Sequence, residues 1–349
     1  MSEVRKGYIR PLDIRGGHVD MSHGSGGRAM SQLVEQLFAA AFDNEFLAQR
    51  NDQALLPRPE GHIVISTDCH VVSPLFFPGG DIGCLSVHGT INDVAMSGAR
   101  PLYLAAGFIL EEGFPLADLQ RIVQSMARAA REAGVPVVTG DTKVVEAGKG
   151  DGVFITTTGV GVVPPGLHIS GDRARPGDLI VVSGTIGDHG MAVMSQRESL
   201  AFGTDLVSDT AALHTLVAAM VEVVPELRVL RDPTRGGVAT TLNEIATQSG
   251  VGMILDEAAL PIRPQVQAAC EFLGLDPLYV ANEGKLLAIV PAALADKLLE
   301  AMRAHPLGGN AALIGEVVAD PHHFVQMRTR FGGKRIVDWL AGDQLPRIC

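Results

Sequence analysis

Four aspartates stand in short contexts that suit hard-cation chemistry. Asp68 closes VISTD, Asp93 lies in GTINDVAMSGARP, Asp141 in VVTGDTKVV and Asp232 in VLRDPTRGGVA. Three of them follow β-branched or apolar runs and precede small residues, a pattern that predicts carboxylates at strand ends, where ligands are held. Such oxygens suit Mg²⁺, which takes one or two carboxylates and completes its shell with nucleotide phosphates. Any one of these aspartates alone is more often an Asx-turn or a helix cap; the set of four is harder to dismiss. Lys143 follows GDT and offers an ammonium to a phosphate or a carboxylate. Glu283, in YVANEGKLL beside Lys285, reads most plainly as a solvated turn residue. The segment SHGSGGRAM (22–30) runs straight into MSQLVEQLFAAAF. Gly24, Ser25, Gly26 and Gly27 would then present free N–H groups at a helix N-terminus, which suits phosphate oxygens; a loop with an ordinary helix start is the alternative. His88 and His189 are lone histidines, more often satisfied core or turn residues than ligands.

The last residue raises a separate question. Cys349 ends GDQLPRIC, and Cys69, Cys84 and Cys270 form no CxxC pair and no zinc-like spacing with it. A terminal thiol is either an accident of the chain end or the loaded end of a swinging arm. Eight extended residues reach about 26 Å, Gly342 supplies a swivel, and Pro346 keeps the end out of a helix.

The elements that must position these groups are short and numerous. HIVIST (62–67), PLYLAAGFIL (101–110) and GVFITTTGVGVV (152–163) predict strands. Leu116, Leu119, Ile122, Val123, Met126 and Ala130 recur at helical spacing, and Gly134 ends that helix. Prolines and glycines in VVPPGLHISGDRARPGD (162–178) mark a domain boundary, after which strand and helix patterns start again. The expected division is 1–43 with the Gly-rich loop, 44–165 as a first domain, 166–320 as a second, and 321–349 as a flexible C-terminal tail. The fold class is α/β and α+β in two domains.

Composition excludes several classes. The formal charge of −11 repels phosphate backbones, and 5% aromatic residues leave few stacking platforms, so nucleic acid is an unsuitable partner. No apolar run of about 20 residues predicts a membrane span, and MSEVRKGYIRPLD lacks an apolar signal region, so a cytoplasmic protein is expected. GxxxxGK[ST], GxGxxG, HExxH and GxSxG contexts are missing, which removes the P-loop, dinucleotide and common hydrolase templates.

Taken in order, SHGSGGR, STDCHVV, FFPGGDIG, GTINDVAMSGARP, VTGDTK, RDPTRGG, ANEGK and the closing PRIC resemble the HypE family, the carbamoyl dehydratases of nickel–iron hydrogenase maturation. The resemblance covers roughly residues 17–349. Its DxAMxGAxP and GDT elements are shared with aminoimidazole ribonucleotide (AIR) synthetase, thiamine-monophosphate kinase and selenophosphate synthetase. It implies a two-domain PurM-like (AIR synthetase-like) fold and a homodimer formed through the first sheet. It further implies ATP and Mg²⁺ held by Asp68, Asp93, Asp141 and Asp232, and a phosphate loop at Gly24 to Gly27. Asn92, Thr142 and Asn282 fall in the same motifs as further nucleotide-binding candidates. Cys349 would carry the substrate, with Glu283 as the base and Lys143 orienting the carboxamide or the γ-phosphate. Partners implied are the carbamoyltransferase HypF and a HypC–HypD scaffold that accepts the cyanide. A selenophosphate-synthetase-like or small-molecule kinase is the competing enzyme reading, and no cysteine precedes Cys69 to support it. A thiol carrier without catalysis is the competing non-enzymatic one.

Overall fold

A computed structural model describes residues 11–51, 53–198, 206–342, 345, 347 and 348. The predicted N-terminal helix begins at α1 (Arg28–Leu33), passes through a π-helical turn and ends at α2 (Ala40–Phe42). Strand β1 (His62–His70) is followed by a small hairpin of β2 (Phe76–Phe77) and β3 (Gly80–Asp81), then α3 (Ile82–Ala95). The Asp81 carboxylate starts α3 by accepting from the Gly83 and Cys84 amides at 2.8 and 3.1 Å. Next come β4 (Arg100–Glu111), α4 (Leu116–Ala133), β5 (Val137–Val145) and β6 (Val153–Val163). The apolar stripe read from the sequence is the buried face of α4, and Gly134 closes it at φ +68°.

The first sheet runs β1-β6-β4-β5, with only β4 and β5 parallel. Helices α3 and α4 cover one face. The other stays open: alternate residues of β1 leave Ile63 and Ile65 64% and 68% exposed.

The second domain contains β7 (Asp178–Val182), α5 (Asp188–Arg197), α6 (His214–Val223), β8 (Val229–Arg231) and α7 (Gly237–Ser249). It continues with β9 (Gly252–Asp256), α8 (Pro264–Leu273), β10 (Leu287–Pro291), α9 (Ala295–Ala304) and β11 (Ala312–Val318). Strands β12 (Val325–Arg328) and β13 (Lys334–Ile336) complete a seven-stranded sheet in the order β13-β12-β9-β11-β7-β10-β8. The segment expected as tail from residue 321 is thus part of the sheet, because β12 pairs parallel with β9 from Val325↔Met253 to Arg328↔Asp256.

One apolar cluster joins the two domains. Ile82, Leu85 and Ile122 of the first domain belong to it with Met191, Val193, Val266 and Cys270 of the second, and so do Leu345 and Ile348 near the chain end. The described end of the tail is therefore packed into the body rather than free. Among the described residues no helix is long and apolar enough to cross a membrane.

Candidate active site

Antiparallel pairing of β10 with β8 sets Leu287 opposite Arg231, so Asp232 and the 282–286 segment emerge at the same end of the second sheet. Asp68 on β1 and Asp93 on α3 meet them from the first domain. Ser66 Oγ donates to Asp93 Oδ2 at 2.8 Å. Burial, with help from Asp68, raises the Asp93 carboxyl above the usual carboxylate range, and the same burial plus Asp93 pushes Asp232 up to about 7. Glu283 is 4% exposed, and its Oε1 is buried with no hydrogen-bond donor against it. Burial first, and then Asp209, Asp232, Asp68 and Asp93, hold its carboxyl well above the normal value.

The backbone here is locked in place. Asp209 Oδ1 accepts from the Glu283 amide at 3.0 Å, and Lys285 Nζ lies 3.2 Å from Asp209 Oδ2. A Cβ at Gly284 would sit 1.7 Å from the Asp209 carbonyl oxygen, so only glycine permits this approach. Asn282 Oδ1 accepts from the Gly187 amide at 2.7 Å while its Nδ2 donates to the carbonyls of Pro233 and Val280. Asn92 is likewise committed, donating to the carbonyls of Ala211 and Glu283 and accepting from the Leu213 amide. Both side chains were expected at the nucleotide; the structure spends their amides on holding the loops that carry Asp232 and Glu283.

Asp141, Thr142 and Lys143 lie elsewhere. The register Asp68↔Thr157, Thr157↔Ala106, Ala106↔Gly140 puts β5 three strands from β1, about 14 Å at the usual strand spacing. Asp141 and Lys143 are both 68% exposed, 3.9 Å apart, and leave the open face of the sheet, whereas Asp68 leaves the helix-covered face. A single copy of the chain does not bring Asp141 to Asp68, Asp93 and Asp232. Nor do Asp68 and Asp141 close strands as the sequence pattern suggested; both sit within them, and Asp93 is inside α3. Thr142 is buried with its hydroxyl unsatisfied.

Beside β5 opens a cavity of about 800 Å³. Gly26, Gly27, Asp141 and Thr142 line it, with Phe38 and Phe42 among its apolar walls. Gly27 caps α1 without a side-chain acceptor, and Gly24 presses on Val144, where a Cβ would meet the β5 backbone at 2.9 Å. Ser25 Oγ is engaged by the Ser22 carbonyl at 2.9 Å.

The site has members that sequence motifs did not mark. Asp209 anchors the Glu283 loop from LVSDTAAL, a context without a motif. His189 and Arg197 of α5 hold the described end of the chain: His189 Nε2 donates to the Ile348 carbonyl at 2.7 Å, and Arg197 Nη2 to that of Arg347 at 2.8 Å. Cys349, the residue that follows, lies outside the described residues.

Family models for the N-terminal and C-terminal domains of AIR synthase related proteins match residues 50–163 and 175–328. A two-domain AIR synthase-related protein is therefore the class that fold and site define. Carbamoyl dehydratase HypE of Cupriavidus necator is 73% identical over 347 residues, covering 99% of both chains. The crystal structure of hydrogenase maturation protein HypE in complex with ATP superposes with a TM-score of 0.91 at 52% identity, over 94% of this chain and 99% of that one. The structure of a HypE–HypF complex matches with a TM-score of 0.78 at 52% identity, over 88% and 99%. The chain belongs to the HypE family of carbamoyl dehydratases, and the family expectation drawn from the motifs is borne out.

Proposed function

We propose that this protein converts a carbamoyl group carried on the Cys349 sulfur into a thiocyanate, with ATP as co-substrate, to supply the cyanide ligand of nickel–iron hydrogenase. The observation that carries this reading is the docking of the chain end. Ile348 is held on α5, where the Gly190 amide donates to the Ala281 carbonyl, two residues before the buried Glu283.

A thiocarboxamide, S–C(=O)–NH₂, cannot expel oxide. Attack of its carbonyl oxygen on the γ-phosphorus of ATP releases ADP and turns that oxygen into part of a phosphate. Loss of both nitrogen protons and departure of phosphate then leave S–C≡N. Such transfer is chiefly a matter of position and charge neutralisation. The cavity of about 800 Å³ beside Gly26 and Gly27 has room for a nucleotide. In this reading its apolar walls take the base, while the amides before α1, Asp141 and Thr142 face the phosphates. Lys143 orients the carboxamide or the γ-phosphate, and Glu283 takes the amide proton, a task to which a raised carboxyl pKa is matched.

Among the described residues no three His, Cys, Asp or Glu side chains stand ready to hold a metal alone. Asp68, Asp93 and Asp232 nevertheless suit a Mg²⁺ that uses one or two carboxylates and takes phosphates for the rest, because their mutual repulsion is relieved by a cation. Asp141, about 14 Å away on the opposite face of the sheet, would reach such an ion only from a second copy of the chain. When bound, Mg²⁺ would supply charge neutralisation for the phosphates. That opposite face is also the one we assign to a second copy of the chain, since Ile63 and Ile65 stay exposed on it. Carbamoyl loading would come from a HypF carbamoyltransferase, as the HypE–HypF complex of the relative suggests, and the cyanide would pass to a HypC–HypD scaffold in the cytoplasm.

Intact-mass analysis of carbamoylated protein with and without Mg-ATP tests the proposal. Loss of one water only with ATP supports it. An unchanged carbamoyl mass means that the chain merely carries the group.

A further inference from the structure

We propose that His189 and Arg197 of α5 form a clamp that grips the C-terminal segment by its backbone and so sets where Cys349 stands for dehydration. The catalytic meaning of the clamp rests on the dehydratase reading; its existence as a docking device does not. His189 is fully buried. Its ring meets Phe77 edge-on at 5.4 Å between centroids, and its Nδ1 lies 2.8 Å from Ser208 Oγ. A carbonyl only accepts, so Nε2 must carry the proton donated to Ile348, and Ser208 completes the neutral ring by donating to Nδ1. Two turns further along α5, Arg197 donates through Nη2 to the Arg347 carbonyl and through Nε to the Ser73 carbonyl, both at 2.8 Å.

The first domain supplies the other jaw. The Ser73 amide donates to the same Arg347 carbonyl at 3.1 Å, and Val72 forms a bridge with Ile348 as one rung of an antiparallel pair. Two successive tail carbonyls are thus held by side chains from one domain against a strand-like segment of the other. Leu345 and Ile348 bury their side chains in the cluster shared by both domains. The ion pair of Arg347 with Asp151, at 3.1 Å, is half in solvent and adds little. Capture by carbonyls ignores what the next sulfur carries, so free, carbamoylated and cyanated tails can all dock. A few hydrogen bonds are also weak enough to open for loading.

Hydrogen exchange of the peptide that contains Ser73 reads docking without any chemistry, because the Arg347 carbonyl covers the Ser73 amide. In the full-length protein, Arg197→Ala should speed that exchange roughly 10-fold, the factor that about 1.4 kcal/mol of lost hydrogen bonding represents. Arg197→Lys should recover part of the protection. His189→Gln, which keeps an N–H for Ile348, should stay closer to wild type than His189→Ala. Carbamoyl loading of Arg197→Ala by the carbamoyltransferase should proceed while its ATP-dependent water loss slows, a split that general destabilisation would not produce. Unchanged Ser73 exchange in Arg197→Ala overturns the clamp, and Arg197 decides this alone if His189→Ala fails to fold. A wild-type protein that loses no water refutes the dehydratase reading instead, while Ser73 exchange still judges the clamp.

Discussion

Replacing Asp232 with Asn tests the electrostatics of the site without adding bulk. Burial and the neighbouring Asp93 raise this carboxyl from 3.8 to about 7. The folded state therefore holds a proton that the unfolded chain releases earlier, and stability falls as pH climbs from about 4 to about 7. A rise of about 3 pKa units corresponds to at most about 4 kcal/mol. Asp232 keeps some solvent contact, so screening reduces this, and about 2 kcal/mol is the working figure. Asn carries no such penalty. Asp232→Asn should be more stable than wild type by about 2 kcal/mol at pH 8 but by only about 0.7 kcal/mol at pH 5, where roughly a third of the penalty has accrued. Paired thermal melts of the ligand-free protein at the two pH values give the difference. At about 2 °C per kcal/mol, the gain in melting temperature should be near 4 °C at pH 8. The same difference at both pH values would mean that Asp232 is not held protonated by its neighbours. A loss of stability at pH 8 would mean that its attraction to Arg231 outweighs burial and Asp93.

Three further outcomes follow from named contacts. Glu283→Gln should accept the carbamoyl group and stop before water is lost, and in the wild type the dehydration rate should rise with pH through the elevated pKa of Glu283, as single-turnover mass spectrometry at a series of pH values would show. Asn282→Ala leaves the Gly187 amide and the Val280 carbonyl without their partner and the Pro233 carbonyl with only the backbone amide of residue 282; it should cost about 2–4 kcal/mol in denaturant melts, and a cost under about 0.5 kcal/mol would contradict its bridging role. Ile65→Asp on the open face of the first sheet should convert a dimer to a monomer in light scattering with the fold retained; a wild-type monomer at micromolar concentration would sink the assembly proposal.

Much of the architecture is legible from apolar spacing, and the failures have physical causes. Helix α4 is half in solvent, so its stripe from Leu116 to Ala130 shows a period and Gly134 marks its end. Helix α3, IGCLSVHGTINDVA, is buried on nearly every side and has no polar face to reveal a period; only Asp81 before it announces a helix. Strands β12 and β13 are short and bordered by glycine and exposed charge, and they read as tail until their pairing with β9 is seen. At the site, Asp232 and Glu283 are recognisable as acids in motifs, but their meeting depends on the β8–β10 pairing. That long-range register has no local signature. His189 reads as a satisfied buried histidine and is one; its partner lies 159 residues further along the chain. Asn92 and Asn282 show the converse, motif residues whose polar atoms serve the scaffold.

The central claim, that ATP removes the carbamoyl oxygen as phosphate, is tested most directly by following that oxygen. Full-length protein loaded on Cys349 with a carbamoyl group bearing heavy oxygen would be given Mg-ATP, and the inorganic phosphate released would be analysed by mass spectrometry. Each phosphate should carry one heavy oxygen, matched by one thiocyanate formed on the protein. Unlabelled phosphate, with the heavy oxygen appearing in water or remaining on the chain, would contradict it.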